Sequence, residues 1–110
     1  MAFLDIRPIA PGHALIVPKI HCDGFLDCAP HVLAQMAAAA QKVARAVMSA
    51  TGAPACNVGI NNGKAAGQIV FHLHMHIIPR HEGDGLHPWG HQEYKEGERE
   101  AMAEKIRAQL

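Results

Sequence analysis

Residues 72–80 read His-Leu-His-Met-His-Ile-Ile-Pro-Arg, three imidazoles at every second position with apolar residues between them. Successive side chains of a strand point to opposite faces, so His72, His74 and His76 would share one face and Leu73, Met75 and Ile77 the other. Three chemistries fit that pattern. A half-buried strand can carry histidine on its polar face and do nothing more. An HxH pair can present two imidazoles to zinc, although a closed site wants further ligands and the chain has no CxxC spacing. The third is nucleophilic catalysis, in which one neutral imidazole attacks an electrophile while its neighbours orient it and balance charge. A ring nitrogen donating to a backbone carbonyl would then fix the tautomer that aims the other lone pair outward. Phosphorus suits as the electrophile. The stretch just upstream, Asn61-Asn62-Gly63-Lys64-Ala65-Ala66-Gly67-Gln68, bears glycines that let backbone amides approach phosphate oxygens.

Positioning such a cluster requires a scaffold, and its elements can be read along the chain. Ala2 to Ile6 reads as a short strand that stops at Arg7-Pro8, because proline removes a ladder donor and biases its predecessor toward extended geometry. Ala10-Pro11-Gly12-His13 supplies a turn, and Ala14 to Pro18 reads as a second strand, apolar enough to be covered on both faces. From Pro30 to Ala50 the positions Val32, Leu33, Met36, Ala40, Val43, Ala44, Val47 and Met48 recur at helical spacing. Pro30 suits a first helical position and Gly52 a stop, although Ala29 is a poor cap. Ala55 to Asn61 is the next strand, joined to the histidine run by a long hairpin loop. A Gly-, His- and Pro-rich stretch, 81–91, leads to a helix from about Glu98 with Met102, Ile106 and Leu110 on one stripe. Acids early and Lys105 and Arg107 late match its dipole.

One domain spanning residues 1–110 is the expectation, since 110 residues can bury a core without staples. Ten Lys and Arg balance ten Asp and Glu, which gives no field for nonspecific attraction to nucleic acid or membrane. Any nucleotide must therefore be held by local groups. Cys22, Cys28 and Cys56 are odd in number and follow no signal peptide or long apolar run, so reduced thiols in a cytoplasmic protein are expected. Nine histidines are many for this length, and six lie outside the run, at positions 13, 21, 31, 81, 87 and 91.

Gly67-Gln68-Ile69-Val70-Phe71-His72-Leu73-His74-Met75-His76-Ile77-Ile78-Pro79-Arg80 resembles the signature of the histidine triad (HIT) family. Residues 2–19 resemble that family's early strand pair and turn, and residues 61–68 its loop before the triad. Together these cover residues 2–80. The resemblance implies an α+β fold with a mainly antiparallel sheet of about five strands, a long central helix, a C-terminal helix and a homodimer. It also implies a nucleotide hydrolase or nucleotidyl transferase acting on an α-phosphate of a purine nucleotide, with no resident cofactor. By position, His74 would be the nucleophile forming a nucleotidyl-histidine intermediate, with His72, His76 and His13 completing the cluster. Asn61, Gly67 and Gln68 would line the phosphate site, Asp5 would bind the ribose hydroxyls, and Phe3, Leu4 and Ile6 fall in the region of the base pocket. From the residues alone, Asp5, His13, Asn61 and Gly67 read equally as turn and loop formers.

Two departures from that pattern stand out. The family's usual opening helix and strand do not precede Ala2, so the first strand of the sheet is expected to be absent. Many bacterial relatives carry in that segment a cysteine pair that binds zinc with histidines, one of them near His21; without those cysteines no metal is expected here. Ile69 occupies a position where several relatives have Ser or Thr able to hydrogen-bond the leaving group, which an isoleucine cannot do. The endings of the motif resemble general bacterial hydrolases of the family. The rival reading is a catalytically weak nucleotide-binding or regulatory protein of the same family.

Overall fold

The computed structural model describes residues 1–85 and 92–110. Residues 86–91, which include His87 and His91 of the Gly-, His- and Pro-rich stretch, lie outside them. In chain order the elements are β1 (Ala2–Leu4), β2 (Ala14–Ile16), a short 3-10 turn (Phe25–Asp27), α1 (Pro30–Thr51), β3 (Ala55–Gly59), a second 3-10 turn (Lys64–Ala66), β4 (Met75–Arg80) and α2 (Glu98–Arg107). The four strands form one antiparallel sheet in the order β1-β2-β4-β3. Among the described residues the sheet therefore has four of the five strands that the family pattern implies, with β1 and β3 at its edges.

The helix over Pro30–Thr51 forms as its apolar spacing demands. Val32, Met36, Ala40, Val43 and Val47 are buried at steps of three and four residues, and Ala46 joins them. Pro30 opens it, where the missing N–H costs nothing, and Gly52 ends it in the left-handed conformation at φ 71°. This stripe packs on one face of the sheet, against Ala14 and Ile16 of β2 and Ile77 of β4, with Leu73 and Ile106 closing the cluster. Each fully buried aliphatic side chain of that kind contributes about 1.5–3 kcal/mol.

Registers Leu15↔His76 and Asn57↔Ile78 put those residues on the face opposite α1. The second strand is accordingly buried at alternate positions instead of on both faces, because only α1 covers it. The third strand stops at Gly59, two residues short of Asn61. The fourth begins at Met75, so His72 and His74 precede it. Pairing halts there because the Leu73 N–H donates to the Cys22 carbonyl (2.7 Å) and not to a strand partner. Leu73 is still 1% exposed and Ile77 0%, so the apolar half of the histidine alternation does face the core.

Candidate functional site

The sheet face opposite α1, the loops at one end of it and the α2 residues beside β1 line an open groove of about 1060 Å3 that also reaches Val43 of α1. His13, His74 and His76 line it, as do Phe3, Asp5 and Ile6 from the β1 side. Asn61, Gly67, Ile69 and Val70 line it from the loop before the triad. Of the residues singled out by the sequence, His72 and Gln68 are not among the lining residues.

His76 reaches the groove because its backbone lies in β4 opposite Leu15. His74 comes from the extended segment just before β4, and its ring stands edge-on to His76 with centroids 4.9 Å apart. Its Nδ1–H donates to the His72 carbonyl at 2.7 Å. That bond leaves Nε2 as the nitrogen with a lone pair. The tautomer imagined from the sequence is thus built from the backbone of the motif itself.

His13 is 1% exposed, and a backbone group bears directly on its tautomer. The Ile9 N–H donates to His13 Nδ1 at 3.1 Å, which makes Nδ1 an acceptor and Nε2 the protonated nitrogen. His13 Nε2 lies 2.9 Å from His76 Nδ1 and 3.8 Å from Asp5 Oδ2. The network therefore assigns His76 Nδ1 as acceptor and His76 Nε2 as donor. Burial first, and then the neighbouring His74, push the His76 pKa below its usual value against the pull of Asp5, which favours that neutral ring. Ligand atoms of Asp5, His13 and His76 lie within 4.8 Å of one another, close enough to suggest a metal. The inventory argues otherwise: a protonated His13 Nε2 is not a ligand, and stripping it would require breaking the Ile9 bond or forming an imidazolate.

His72 is turned the other way. Its Nδ1 lies 3.0 Å from His21 Nδ1, a contact in which one of the two nitrogens must carry the proton, its Nε2 lies 3.3 Å from the Pro18 carbonyl, and His21 Nε2 lies 2.6 Å from Asp23 Oδ1. The first histidine of the run thus acts on the groove through its carbonyl, which holds His74, while its ring fastens the loop around Pro18–Asp23.

Gln68 is 2% exposed, and both N–H groups and the oxygen of its amide are hydrogen-bonded. Its Oε1 accepts from the Gly63 N–H at 2.8 Å, and its Nε2 donates to the Asp23 and Val70 carbonyls at 2.6 and 3.2 Å. The N–H groups of Ala66, Gly67 and Gln68 close on the carbonyls of Gly63 and Lys64, with Gly63 and Gly67 at positive φ. The loop expected to offer these amides to phosphate instead spends them on its own turn. Asn61 and the Gly67 backbone remain on the groove wall.

Asp5 Oδ1 caps the Arg7 N–H at 2.9 Å, a turn role, while Oδ2 faces His13 and the groove. The sequence reading missed Tyr94, whose hydroxyl accepts the Gly12 N–H at 2.9 Å one residue before His13. Burial raises its pKa, so the phenol stays protonated. No local signal marks it, since its partner is 82 residues away.

A family model described as the HIT domain matches residues 1–83. Adenylylsulfatase HINT3 of Arabidopsis thaliana is 43% identical over 86 residues, which is 78% of this chain and 44% of that protein. The asymmetrical bis(5'-nucleosyl)-tetraphosphatase of Schizosaccharomyces pombe is 39% identical over 83 residues, 76% of this chain and 46% of that one. The chain thus spans less than half the length of either relative. Among solved structures, a HIT-like protein involved in cell-cycle regulation from Bartonella henselae superposes with a TM-score of 0.90 at 41% identity, covering 99% of this chain and 78% of the other.

Proposed function

The chain belongs to the HIT family, and from that premise we propose that it hydrolyses or transfers a nucleoside monophosphate group through a covalent intermediate on His74. The observation that carries the reading is the 2.7 Å bond from His74 Nδ1 to the His72 carbonyl, which leaves Nε2 lone-paired at the groove. Two relatives named as nucleotide hydrolases support the substrate class.

In the proposed reaction, on a nucleoside phosphoanhydride or phosphoramidate, His74 Nε2 attacks the α-phosphorus, a P–N bond to the histidine forms, and the bond from phosphorus to the leaving group, P–O in an anhydride and P–N in an amidate, breaks with its electron pair. Water then attacks phosphorus, the P–N bond breaks, and the nucleoside monophosphate is released. The Nε2–H of His76 donates to a phosphate oxygen as charge develops there, a contact that strengthens in the transition state. Asn61 and Gly67 border the phosphate, Gln68 holds their loop, and Phe3, Ile6 and Leu15 offer apolar surface to a purine base. Asp5 Oδ2 accepts from the ribose hydroxyls. A homodimer fits the sheet, whose β3 edge is unpaired among the described residues. A cytoplasmic setting fits three free thiols and the absence, among the described residues, of any helix long and apolar enough to cross a membrane.

One feature favours a weaker enzyme that mainly binds nucleotide. Ile69 is 85% exposed on the groove wall and has no proton to give a leaving group. The test separates the two readings. Protein incubated with adenylyl sulfate or a bis(5'-adenosyl) polyphosphate and quenched in base is expected to carry an adenylyl adduct by mass spectrometry that His74→Ala lacks. Tight binding of adenosine monophosphate with neither adduct nor turnover would replace the enzyme by the binding protein.

A further inference from the structure

The segment that follows residue 91 returns to the turn between β1 and β2 and grips it at both ends. The Gln92 N–H donates to the Pro8 carbonyl at 2.6 Å, and the Gln92 side-chain amide donates to the Ile9 carbonyl at 3.2 Å. Tyr94 takes the Gly12 N–H at 2.9 Å. The turn has little slack of its own: Gly12 sits at φ 96°, and a Cβ there would fall 2.7 Å from Thr51 Cγ2 of α1.

One of these contacts lands on the group that decides the protonation of the groove. Pro8 C=O and Ile9 N–H are two ends of one peptide unit. Gln92 donates into its oxygen, and its N–H donates to His13 Nδ1. From there His13 Nε2–H points to His76 Nδ1, and His76 Nε2–H is left for the groove. The bonds run in one sense from residue 92 to the groove, and donors aligned this way polarise and strengthen one another. Rotation of the Pro8–Ile9 peptide would take this N–H away from His13 Nδ1 and remove its hold on the tautomer.

We infer that Gln92 and Tyr94 are positioning residues, a strap on the Pro8–Gly12 turn that fixes His13 and His76 in the tautomers with a donor facing the groove. Neither residue lines the groove, so neither touches substrate. Only the kinetic consequence rests on the reading of His74 as nucleophile; the tautomers themselves do not.

Tyr94→Phe keeps the ring and deletes the acceptor of the Gly12 N–H. Long-range proton–nitrogen NMR of the imidazoles reports which ring nitrogen carries the proton. Wild-type protein above pH 7 is expected to show His13 and His76 each protonated at Nε2. In Tyr94→Phe both rings move toward averaged nitrogen shifts, while His31, exposed on α1, does not change. Met36→Ala, a core truncation remote from the turn, serves as the control for general loss of stability and leaves the tautomers in place. Turnover of the adenylyl donor falls about tenfold in kcat with KM little changed, as expected when geometry and not binding is lost. Wild-type rings without fixed tautomers, or a Tyr94→Phe protein with the wild-type ring signature, would overturn the inference. A wild type with fixed tautomers but no turnover would instead count against the enzymatic reading alone.

Discussion

Replacing Gln68 by Met keeps the length and volume of the side chain and removes all of its polarity, which isolates what the buried amide does. Three backbone groups would lose their partner: the Gly63 N–H, the Asp23 carbonyl and the Val70 carbonyl. A buried polar group left unsatisfied costs about 1–3 kcal/mol. Asp23 and Val70 are on exposed residues and their carbonyls can recover water, so the sum is discounted to roughly 2–3 kcal/mol in all. For a domain of this size that corresponds to a fall in Tm of about 10 °C. Urea unfolding followed by circular dichroism measures it directly, with calorimetry of nucleoside monophosphate binding run alongside. Gln68→Glu gives a second handle. Its extra oxygen would face two carbonyls, so the variant is expected to be at least as unstable as Met at pH 7. Burial beside two carbonyls raises the folded pKa of that carboxyl, so stability should recover as pH falls through that raised value and be fully restored by about 4.3, the unfolded value. The reasoning fails if Gln68→Met changes stability by less than about 0.5 kcal/mol while abolishing nucleotide affinity. In that case the amide reaches ligand, as the family resemblance implies, and does not hold the loop.

Gly12→Ala forces an L residue to φ 96° and drives a methyl into Thr51, so it should cost about 1–3 kcal/mol in denaturant midpoint and disturb His13 as well. His76 has its folded-state pKa lowered from 6.5, so the neutral ring is the one folding favours. Its contribution is present above that value and is lost as pH falls toward the folded pKa; His76→Gln should flatten the acid slope of stability measured between pH 7 and 5. Ile69→Thr lies 85% exposed and should leave Tm nearly unchanged. It should raise kcat several-fold on phosphoramidates, whose amine must leave protonated, and little on adenylyl sulfate, whose sulfate leaves as a stable anion; equal gains on both would remove the leaving-group argument.

Local pattern carries far in this protein. The spacing of Val32, Met36, Ala40, Val43 and Val47 marks α1 and its buried face, because a helix repeats every 3.6 residues whatever it packs against. Leu73 and Ile77 were legible as core from alternation alone. The lone pair of His74 was legible too, because it depends on a carbonyl two residues away in the same motif. Strand ends were not. β4 starts at Met75 because the Leu73 N–H is taken by Cys22, a partner 51 positions upstream that no window of sequence contains.

The same division runs through the groove. The sequence by itself determined which imidazoles are available and which apolar residues back them, since both follow from residue type and a period of two. Only the tertiary structure decided what each polar group is joined to. It turned the His72 ring toward His21, closed the Gln68 amide on the backbone of its loop, and set His13 against His76 with Asp5 beside them. Protonation is a property of partners, and the partners here meet across 51, 45 and 63 residues of chain. Hydrogen-bond direction is settled when those segments pack, and not before.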